Sequence, residues 1–515
     1  MIKLLEPVIS SISVKNFKSL KDTGILELKP LTLLVGPNSS GKTALLQAIL
    51  VLKQTLESRN IETPLVLRGK YVNLGSFKDI VFRHNIKENI EISLGLPAKE
   101  RKRIARHTSD TLKTYRDVML MKIKIGYDAK SERLVNRGVE FFTSKINLRV
   151  TKEKIEILYN ENVISHKFKR SFEIERRNFL YIPRFSLLRF HFHDVLLLKK
   201  YKKELLNKKA KLEALLKEKT EDKNKIELKK TKLIMSIKEL ENRINFLEMR
   251  LKKLYGTIDI EQMEIIARSL DAFREASFNI QTLLTEYTYY IGPLRVYPQR
   301  YYIASGEYPR DVGLRGEYTA EIIYFDLRRR EEKYTKLKHW MKEADLAYDI
   351  RLRPVAEGIY ALVDDPKLNI EVNFSDIGFG ASQLLPIIVE GIYAKKGSLL
   401  LIEQPEIHLH PRLQAMLADL LIDIVKEGKQ VIVETHSEHI ILRLQRRIAE
   451  NKLSYRDVAI YYFEPSSEGS KITHVKLDKD GIIKSWPKGF FEEDLEESYF
   501  LLKALGEKRK DVSGN

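Results

Sequence analysis

The spacing of apolar residues changes several times along the chain, and each change marks an element. Residues 9–14 alternate like a half-buried strand, 24–28 read as a second strand, and 31–35 are continuously apolar, as in a strand covered on both faces. A run of helix formers follows at 44–52. Turn residues Pro64, Gly69 and Gly75 then interrupt the pattern, with a loop at 75–79. Segments 90–94, 119–127, 139–148 and 155–159 read as strands, and the basic stretch 96–113 as loop or short helix. From 195 the period becomes helical. Leu233, Ile237, Leu240, Ile244, Leu247, Leu251 and Leu254 follow one another at alternating spacings of four and three, a sustained a/d seam. Leu205, Leu212, Leu215 and Leu216 form a looser stripe before it, and polar residues 220–224 separate the two. This predicts an antiparallel helical hairpin reaching about 40 Å at ~1.5 Å per residue. Residues 258–286 read as helix, 289–295 as a strand breaking into a turn, 301–316 as loop and 317–343 as mostly helix. Strands of a small sheet follow at 350–353, 358–363 and 368–374. A helix at 384–394, a buried strand at 398–402, a helix at 412–426 and a strand at 430–433 complete the regular pattern.

Chemistry enters at the breaks in this pattern. Between the strand 31–35 and the helix lies Gly36-Pro37-Asn38-Ser39-Ser40-Gly41-Lys42-Thr43, followed by Ala44, which fits G-x-x-x-x-G-K-[ST]. Backbone N–H groups of such a loop, with the helix N-terminus behind them, surround phosphate oxygens. Lys42 would neutralise the outer phosphates, and the Thr43 hydroxyl would hold Mg²⁺. A second glycine-bearing helix start, residues 375–383, contains Ser375, Gly378, Gly380, Ser382 and Gln383. On its own it is a weak anion site, or a plain helix cap. The buried strand 398–402 ends in Glu403-Gln404-Pro405-Glu406, where a phosphate-loop protein holds its metal. The strand 430–433 ends in Glu434-Thr435-His436-Ser437-Glu438-His439. With His408 and His410 these histidines could form a metal cluster, but the strand-end spacing explains them better. Asp478-Lys479-Asp480 reads as a turn.

Composition narrows the classes. The chain has 515 residues and no cysteine, so disulfides, cysteine-ligated zinc and a cysteine nucleophile are excluded. Its sequence contains no apolar run of eighteen residues and it is expected to be cytoplasmic, with no membrane partner. The formal net charge is +19. Residues 196–256 carry nineteen Lys and Arg against nine Asp and Glu, a net of +10, so half of the excess sits in the hairpin. A basic arm suits a polyanion such as DNA, but a plain structural arm with a solvated face has the same composition.

The motifs occur in an order that resembles ATP-binding-cassette heads of the SMC/RecF type, and most closely the stand-alone relatives of the overcoming-lysogenization-defect ATPases. The matching pieces are Lys15-Asn16-Phe17-Lys18-Ser19, GPNSSGKT, IGPLR, DIGFGASQ, LLLIEQPEIHLHP and VETHSEH, and residues 480–491 fit one branch of the group. The resemblance implies an α/β fold, a P-loop NTPase of ABC-ATPase type whose two-lobed head has an inserted antiparallel coiled-coil hairpin. The implied organisation is an N-terminal ATPase lobe at 1–194, the hairpin at 195–256, a C-terminal ATPase lobe at 257–475 and an extension at 476–515. ATP and Mg²⁺ are the implied cofactors. Two heads would form a head-to-tail homodimer around two ATP molecules. Asn16, Phe17, Lys18 and Ser19 would line the nucleotide site, and Glu403 would be the metal-binding acid. His436 would sense the γ-phosphate, 375–383 would face the ATP of the other subunit, and 408–411 would cross the dimer.

The chain departs from that pattern at two places. Where most such heads have Asp-Glu it has Glu403-Gln404, so either Gln404 positions water or Glu406 supplies the carboxylate, and hydrolysis is expected to be slow. No glutamine stands in the first lobe where a Q-loop would place one, since Gln47 and Gln54 fall in the first helix, and the 75–79 loop is the remaining candidate. A toprim nuclease domain is not expected behind the motifs. Two functions follow from the resemblance: an ATPase acting on DNA in genome maintenance, and a regulatory ATPase controlling a protein effector such as a nuclease. Lys42→Ala is expected to abolish ATP binding, because the triphosphate loses its main cation. Calorimetry with unchanged ATP affinity would overturn the phosphate-loop assignment.

Overall fold

Four buried segments become the centre of one parallel sheet. Leu31–Val35, Leu399–Glu403 and Gln430–Glu434 are buried at every position, and Val458–Glu464 at all but its last. The sheet runs Thr288–Ile291, Leu399–Glu403, Gln430–Glu434, Leu31–Val35, Val458–Glu464 and Lys471–Val475, all neighbours parallel except the last pair. Continuous apolar runs fit this arrangement because helices cover both faces of a parallel sheet. The strand carrying the glycine loop therefore lies between two strands from the far end of the chain. Every parallel strand points its C-terminal end the same way, which gathers the loop and the acidic strand ends at one edge.

The structure, a computed structural model, describes residues 7–60, 62–97, 119–142, 146–151, 154–159, 162–167, 174–177, 180–183, 185–217, 223–255, 260–303, 308–355, 358–364, 370–377 and 379–487. The chain forms two units: Met1–Glu57, Val66–Glu100 and Thr282–Asn515 make one, Ser58–Leu65 and Arg101–Gln281 the other. In the first unit the helices Phe379–Tyr393, Pro411–Lys426 and Glu438–Ala449 contribute to one hydrophobic core with the parallel sheet. The strand Ser11–Phe17 pairs antiparallel with Leu20–Asp22, Leu26–Glu27 and Ile90–Leu96. A buried Gln430 side chain joins this layer to the parallel sheet, accepting from Ile9 N and donating to Ile9 O, both at 2.9 Å. Gln54 is fully engaged inside the fold, donating to the carbonyls of Val66 and Val72 and accepting from the N–H groups of Tyr71 and Val72. The expected loop at 75–79 becomes a one-turn helix, Phe77–Ile80, capped by Ser76 and Asp79. The expected small sheet is present as Ile350–Val355, Gly358–Asp364 and Glu371–Asn373, joined by Tyr301–Ile303.

The second unit contains an antiparallel meander, Met119–Asp128, Arg133–Phe142, Ile146–Val150, Lys154–Tyr159 and Asn162–Lys167. The single strand expected at 139–148 is two, the ends of Arg133–Phe142 and Ile146–Val150, which pair antiparallel; residues 143–145 lie outside the described residues. The long helices Phe185–Lys217 and Lys223–Tyr255 follow, the first beginning ten residues before the expected start of the hairpin. Ile237, Leu240, Ile244, Leu247 and Leu251 are buried, so the a/d seam is the packed face. Lys202 pairs with Glu248 at 2.6 Å and Lys209 with Glu241 at 2.8 Å, which sets the helices antiparallel. The expected turn at 220–224 begins outside the described residues, as does most of the basic stretch 96–113.

One buried acid makes the fold pH-sensitive. Glu390, in the helix Phe379–Tyr393, is 1% exposed; it accepts from Val312 N at 2.8 Å through one oxygen, and its other oxygen has no partner. Burial pushes its carboxyl up to about 8; Asp311 adds to the rise and Lys429 opposes it. The unfolded chain loses this proton near its ordinary value of 4.5, so between there and about 8 the folded state holds a proton that the unfolded state has released. Stability from this group is therefore complete at low pH and is lost as pH rises through that window. Thermal unfolding should show Tm falling between about pH 4.5 and about pH 8 and levelling off above that. Glu390→Gln should flatten that slope, and an unchanged slope in the variant would assign it to other groups.

Candidate functional site

The glycine loop has the backbone its sequence requires. Gly36 (φ 136°) and Gly41 (φ 103°) occupy the region that side chains avoid, and Ser39 (φ 61°) is left-handed. A Cβ on Gly36 would collide with the Phe463 carbonyl of the neighbouring strand. One on Gly41 would collide with the hydroxyls of Ser470 and Ser19. Pro37, Asn38 and Ser39 form the outer rim, partly or fully exposed, while Ser40 and Ala44 are buried. Lys42, the first residue of the helix Lys42–Glu57, turns its Nζ back onto the carbonyls of Gly36 (2.9 Å) and Pro37 (2.7 Å).

Thr43 meets an acid that the sequence analysis did not assign. Its hydroxyl lies 2.9 Å from both carboxylate oxygens of Glu434. Glu434 pairs in register with Glu403, so two carboxylates end adjacent strands. Tyr290 donates to Glu403 Oε1 at 2.9 Å. Burial, with the charge of Glu434 behind it, raises the Glu403 carboxyl to about 7. Burial also raises Glu434 and Glu406. Lys42 is lowered by burial and steadied by Glu434 and Glu406. Glu406 Oε1 accepts from His436 N at 2.6 Å, which joins the two acidic strand ends. Burial, followed by the charge of Lys42, lowers His436. Gln404 holds a left-handed φ of 43° and donates its N–H to Glu434 O at 2.8 Å.

Three buried polar atoms here have no partner among the described residues: Ser40 Oγ, Glu406 Oε2 and His436 Nε2. Buried polar groups are nearly always satisfied, so this concentration of orphans marks where a polar ligand belongs. Oxygen donors from Thr43, Glu434 and Glu403 suit a hard cation such as Mg²⁺. The four histidines make no centre, because among the described residues no group of three or more His, Cys, Asp or Glu could hold a metal.

The remaining expected residues are arranged as follows. Asn16 (φ 56°) and Lys18 (φ 54°) bend the N-terminal turn, and Lys18 Nζ donates to Gln47 Oε1 at 2.7 Å on the loop's helix. Phe17 is wholly buried, opposite Leu20. Ser19 accepts from Ser470 Oγ at 2.9 Å beside Gly41. In the 375–383 stretch, Ser375 N donates to Asn373 Oδ1 at 2.9 Å, and a Cβ on Gly380 would lie 3.3 Å from His408 O. Gln383 is buried. Gly378 lies outside the described residues, and the Ser382 side chain is not described. A local signal existed for Glu434, an acid ending a buried strand as Glu403 does. None existed for Tyr290 or Ser470.

A family profile described as "AAA ATPase domain" matches residues 8–441, and one described as "Protein of unknown function (DUF3696)" matches residues 453–498. A search of curated proteins returns no match. Among solved structures, the Smc head domain with an extended coiled coil from Pyrococcus furiosus, bound to the C-terminal domain of ScpA, is 14% identical with a TM-score of 0.41, covering 97% of this chain and 99% of that one. An SMC head domain from Thermotoga maritima is 8% identical with a TM-score of 0.34, covering 91% and 99%. The α/β fold expected from the motifs, a parallel sheet with the glycine loop at the end of a central strand, is the fold observed.

The two side chains that the sequence offers for orienting an attacking water, Gln404 and Glu406, can be told apart by substitution. Glu406→Gln should slow ATP turnover by about 10²-fold if it serves as the base. Gln404→Ala should then retain turnover within about threefold of wild type. Steady-state phosphate release decides, and the opposite pattern would assign the role to Gln404.

Proposed function

Since the chain belongs to the AAA ATPase domain family, we propose that it is a slowly hydrolysing Mg·ATP-dependent switch whose heads dimerise head to tail and act on DNA. One observation supports the nucleotide role above others. Lys42, Thr43, Glu434, Glu403, Glu406 and His436, from two strand ends and one helix start, converge around buried polar atoms without a partner among the described residues.

In this reading the loop N–H groups and Lys42 bind the β- and γ-phosphates, with Ser40 turning its hydroxyl toward them. Thr43, Glu434 and Glu403 hold Mg²⁺, which supplies charge neutralisation on the phosphates when bound. Glu406 orients the attacking water, since its raised affinity for protons makes it a better base than an exposed carboxylate. His436 is held neutral by burial and by Lys42, so its unpartnered Nε2 is available to the γ-phosphate. Asn16, Lys18 and Ser19 border the nucleotide, and Ser375, Gly378, Gly380, Ser382 and Gln383 face the ATP of the second head. ATP lobes at 1–194 and 257–475 flank the hairpin at 195–256. No helix among the described residues is long and apolar enough to cross a membrane, and a cytoplasmic location follows from the DNA role.

The hairpin supports the DNA reading through its charge, yet part of that charge is spent internally. Lys202, Lys208 and Lys209 pair with Glu248, Glu204 and Glu241. Lys203, Lys211, Lys232 and Lys238 remain exposed. A second reading, control of a protein effector, is favoured by the outward face of the second helix. Leu228, Met235, Phe246 and Met249 there are each more than half exposed, and phosphate backbones offer such a face nothing.

Replacing 196–256 by a Gly/Ser linker should leave ATP binding intact and weaken DNA binding. Reversing Lys211, Lys232 and Lys238 to Glu should flatten the slope of log K against log salt by about 0.9 for each phosphate that is no longer neutralised. Gel shifts over a salt series, with and without ATP, make the measurement. Unchanged DNA affinity and slope in both variants would make the protein-effector reading the first choice.

A further inference from the structure

Arg295 is 3% exposed, and the nucleotide reading gives it no task. The strand Thr288–Ile291 pairs in parallel with Leu399–Glu403, Ile291 standing opposite Ile402. The chain leaving Ile291 therefore runs beside the turn of Glu403 to Glu406. Arg295 reaches across that gap. Its Nη2 donates to Glu403 O at 2.9 Å and lies 3.5 Å from Gln404 O, as does Nη1. Its Nε is buried without a partner among the described residues. The guanidinium thus grips main-chain carbonyls, and among the described residues its shortest bond is to the residue that ends the acidic strand.

The turn it grips is strained. Gln404 at φ 43° is a non-glycine residue in the left-handed region, a conformation that persists only where the surroundings impose it. Glu434 O fixes its N–H on one side, and Arg295 fixes the carbonyls on the other. Sequestering a cation from water is costly, and an apolar side chain would fill the same space more cheaply. Five donors in a rigid fork can hold two successive carbonyls, which an apolar side chain cannot do.

The same short segment is anchored at its far end to the 373–383 stretch. Val296 N donates to Arg315 O at 2.9 Å. Arg300 forms a bidentate ion pair with Asp376, and its carbonyl accepts from Asn373 Nδ2 at 3.2 Å. Asn373 in turn caps Ser375 N. Residues 295–300 therefore touch the turn carrying Gln404 and Glu406 at one end and the start of the glycine-serine stretch at the other.

We propose that Arg295 is a positioning residue for ATP hydrolysis, holding the 403–406 turn so that its side chains meet the γ-phosphate, and that residues 296–300 couple this turn to the 373–383 stretch. The proposal rests on the ATPase reading of the site. A misplacement of about 1 Å at a reacting centre costs on the order of 10²-fold in rate, so loss of the grip should appear in kcat. It should not appear in ATP affinity, because the phosphate loop and Lys42 bind the nucleotide.

The test uses the full chain with Mg·ATP. Arg295→Met, which keeps length without donors, should lower kcat by about 30-fold or more while KM and the calorimetric ATP Kd stay within about twofold. Arg295→Lys should recover part of the loss, since one ammonium can bond one carbonyl. Arg300→Ala changes a side chain that is mostly exposed, so it tests the coupling in a folded protein even if Arg295→Met unfolds. It should lower kcat several-fold at unchanged ATP Kd. Wild-type kcat in Arg295→Met, or in Arg295→Lys and Arg300→Ala together, would overturn the proposal while leaving the ATPase reading intact. A fall in ATP affinity matching the fall in kcat would also overturn it, as the signature of a merely structural role. A wild-type chain that binds ATP but gives no turnover would overturn both.

Discussion

The parallel pairing of Leu399–Glu403 with Gln430–Glu434 is the constraint on which the site depends. Their register sets Glu403 beside Glu434, and the apolar runs behind them keep both carboxylates out of water. Adjacent buried carboxylates repel, so this edge of the sheet is poised to accept positive charge. The chain supplies part of it: Lys42 acts on Glu434, Arg295 acts on Glu403 and Glu406, and Thr43 lends a proton to Glu434. A divalent cation would complete the balance. The two strand ends are also joined through Glu406 and His436 N, with a carboxylate oxygen and a ring nitrogen that have no partner among the described residues on either side of that hydrogen bond.

The phosphate loop owes its shape to the far end of the chain. The strand Val458–Glu464 lies against Leu31–Val35, and the Phe463 carbonyl occupies the space that a side chain at Gly36 would need. Beyond it, Ser470 binds Ser19 through both its N–H and its hydroxyl, and the pair closes over Gly41. These contacts fall within residues 453–498, the segment matched by the DUF3696 profile. Val458–Glu464 and Lys471–Val475 of that segment are thus strands of the same sheet as the glycine loop. Asp478 closes the next turn through the N–H groups of Asp480 and Ile482, as its sequence implied.

The helical hairpin uses its residues on three faces with different physics. Its seam is apolar and buried, and its flanks hold the two helices in register through ion pairs that are each worth little at the surface. Its outer face mixes exposed lysines with Leu228, Met235, Phe246 and Met249. Net charge alone overstates what is available to a polyanion, because glutamates across the seam already engage Lys202 and Lys209.

Much of this was legible in the sequence, because it depends on spacing over a few residues. A period of two or of three and four fixes which side of an element is apolar, so the seam of the second hairpin helix and the central strands could be placed to within a few residues. The glycines of 36–43 were readable for the same reason, since positive φ is a local property. Glu403 and His436 could be singled out from the sequence because Glu403 ends one locally recognisable strand and His436 follows closely on the end of another. The meander beyond Gly138 was only partly legible, since its polar strands alternate weakly and are stabilised by their partners. Glu434 against Thr43, Arg295 against Glu403 O and Ser470 against Ser19 were decided by the tertiary structure alone. Each joins segments more than a hundred residues apart, and strand order and register bring them together. Those depend on the free energy of the whole sheet, which no local window of the chain contains.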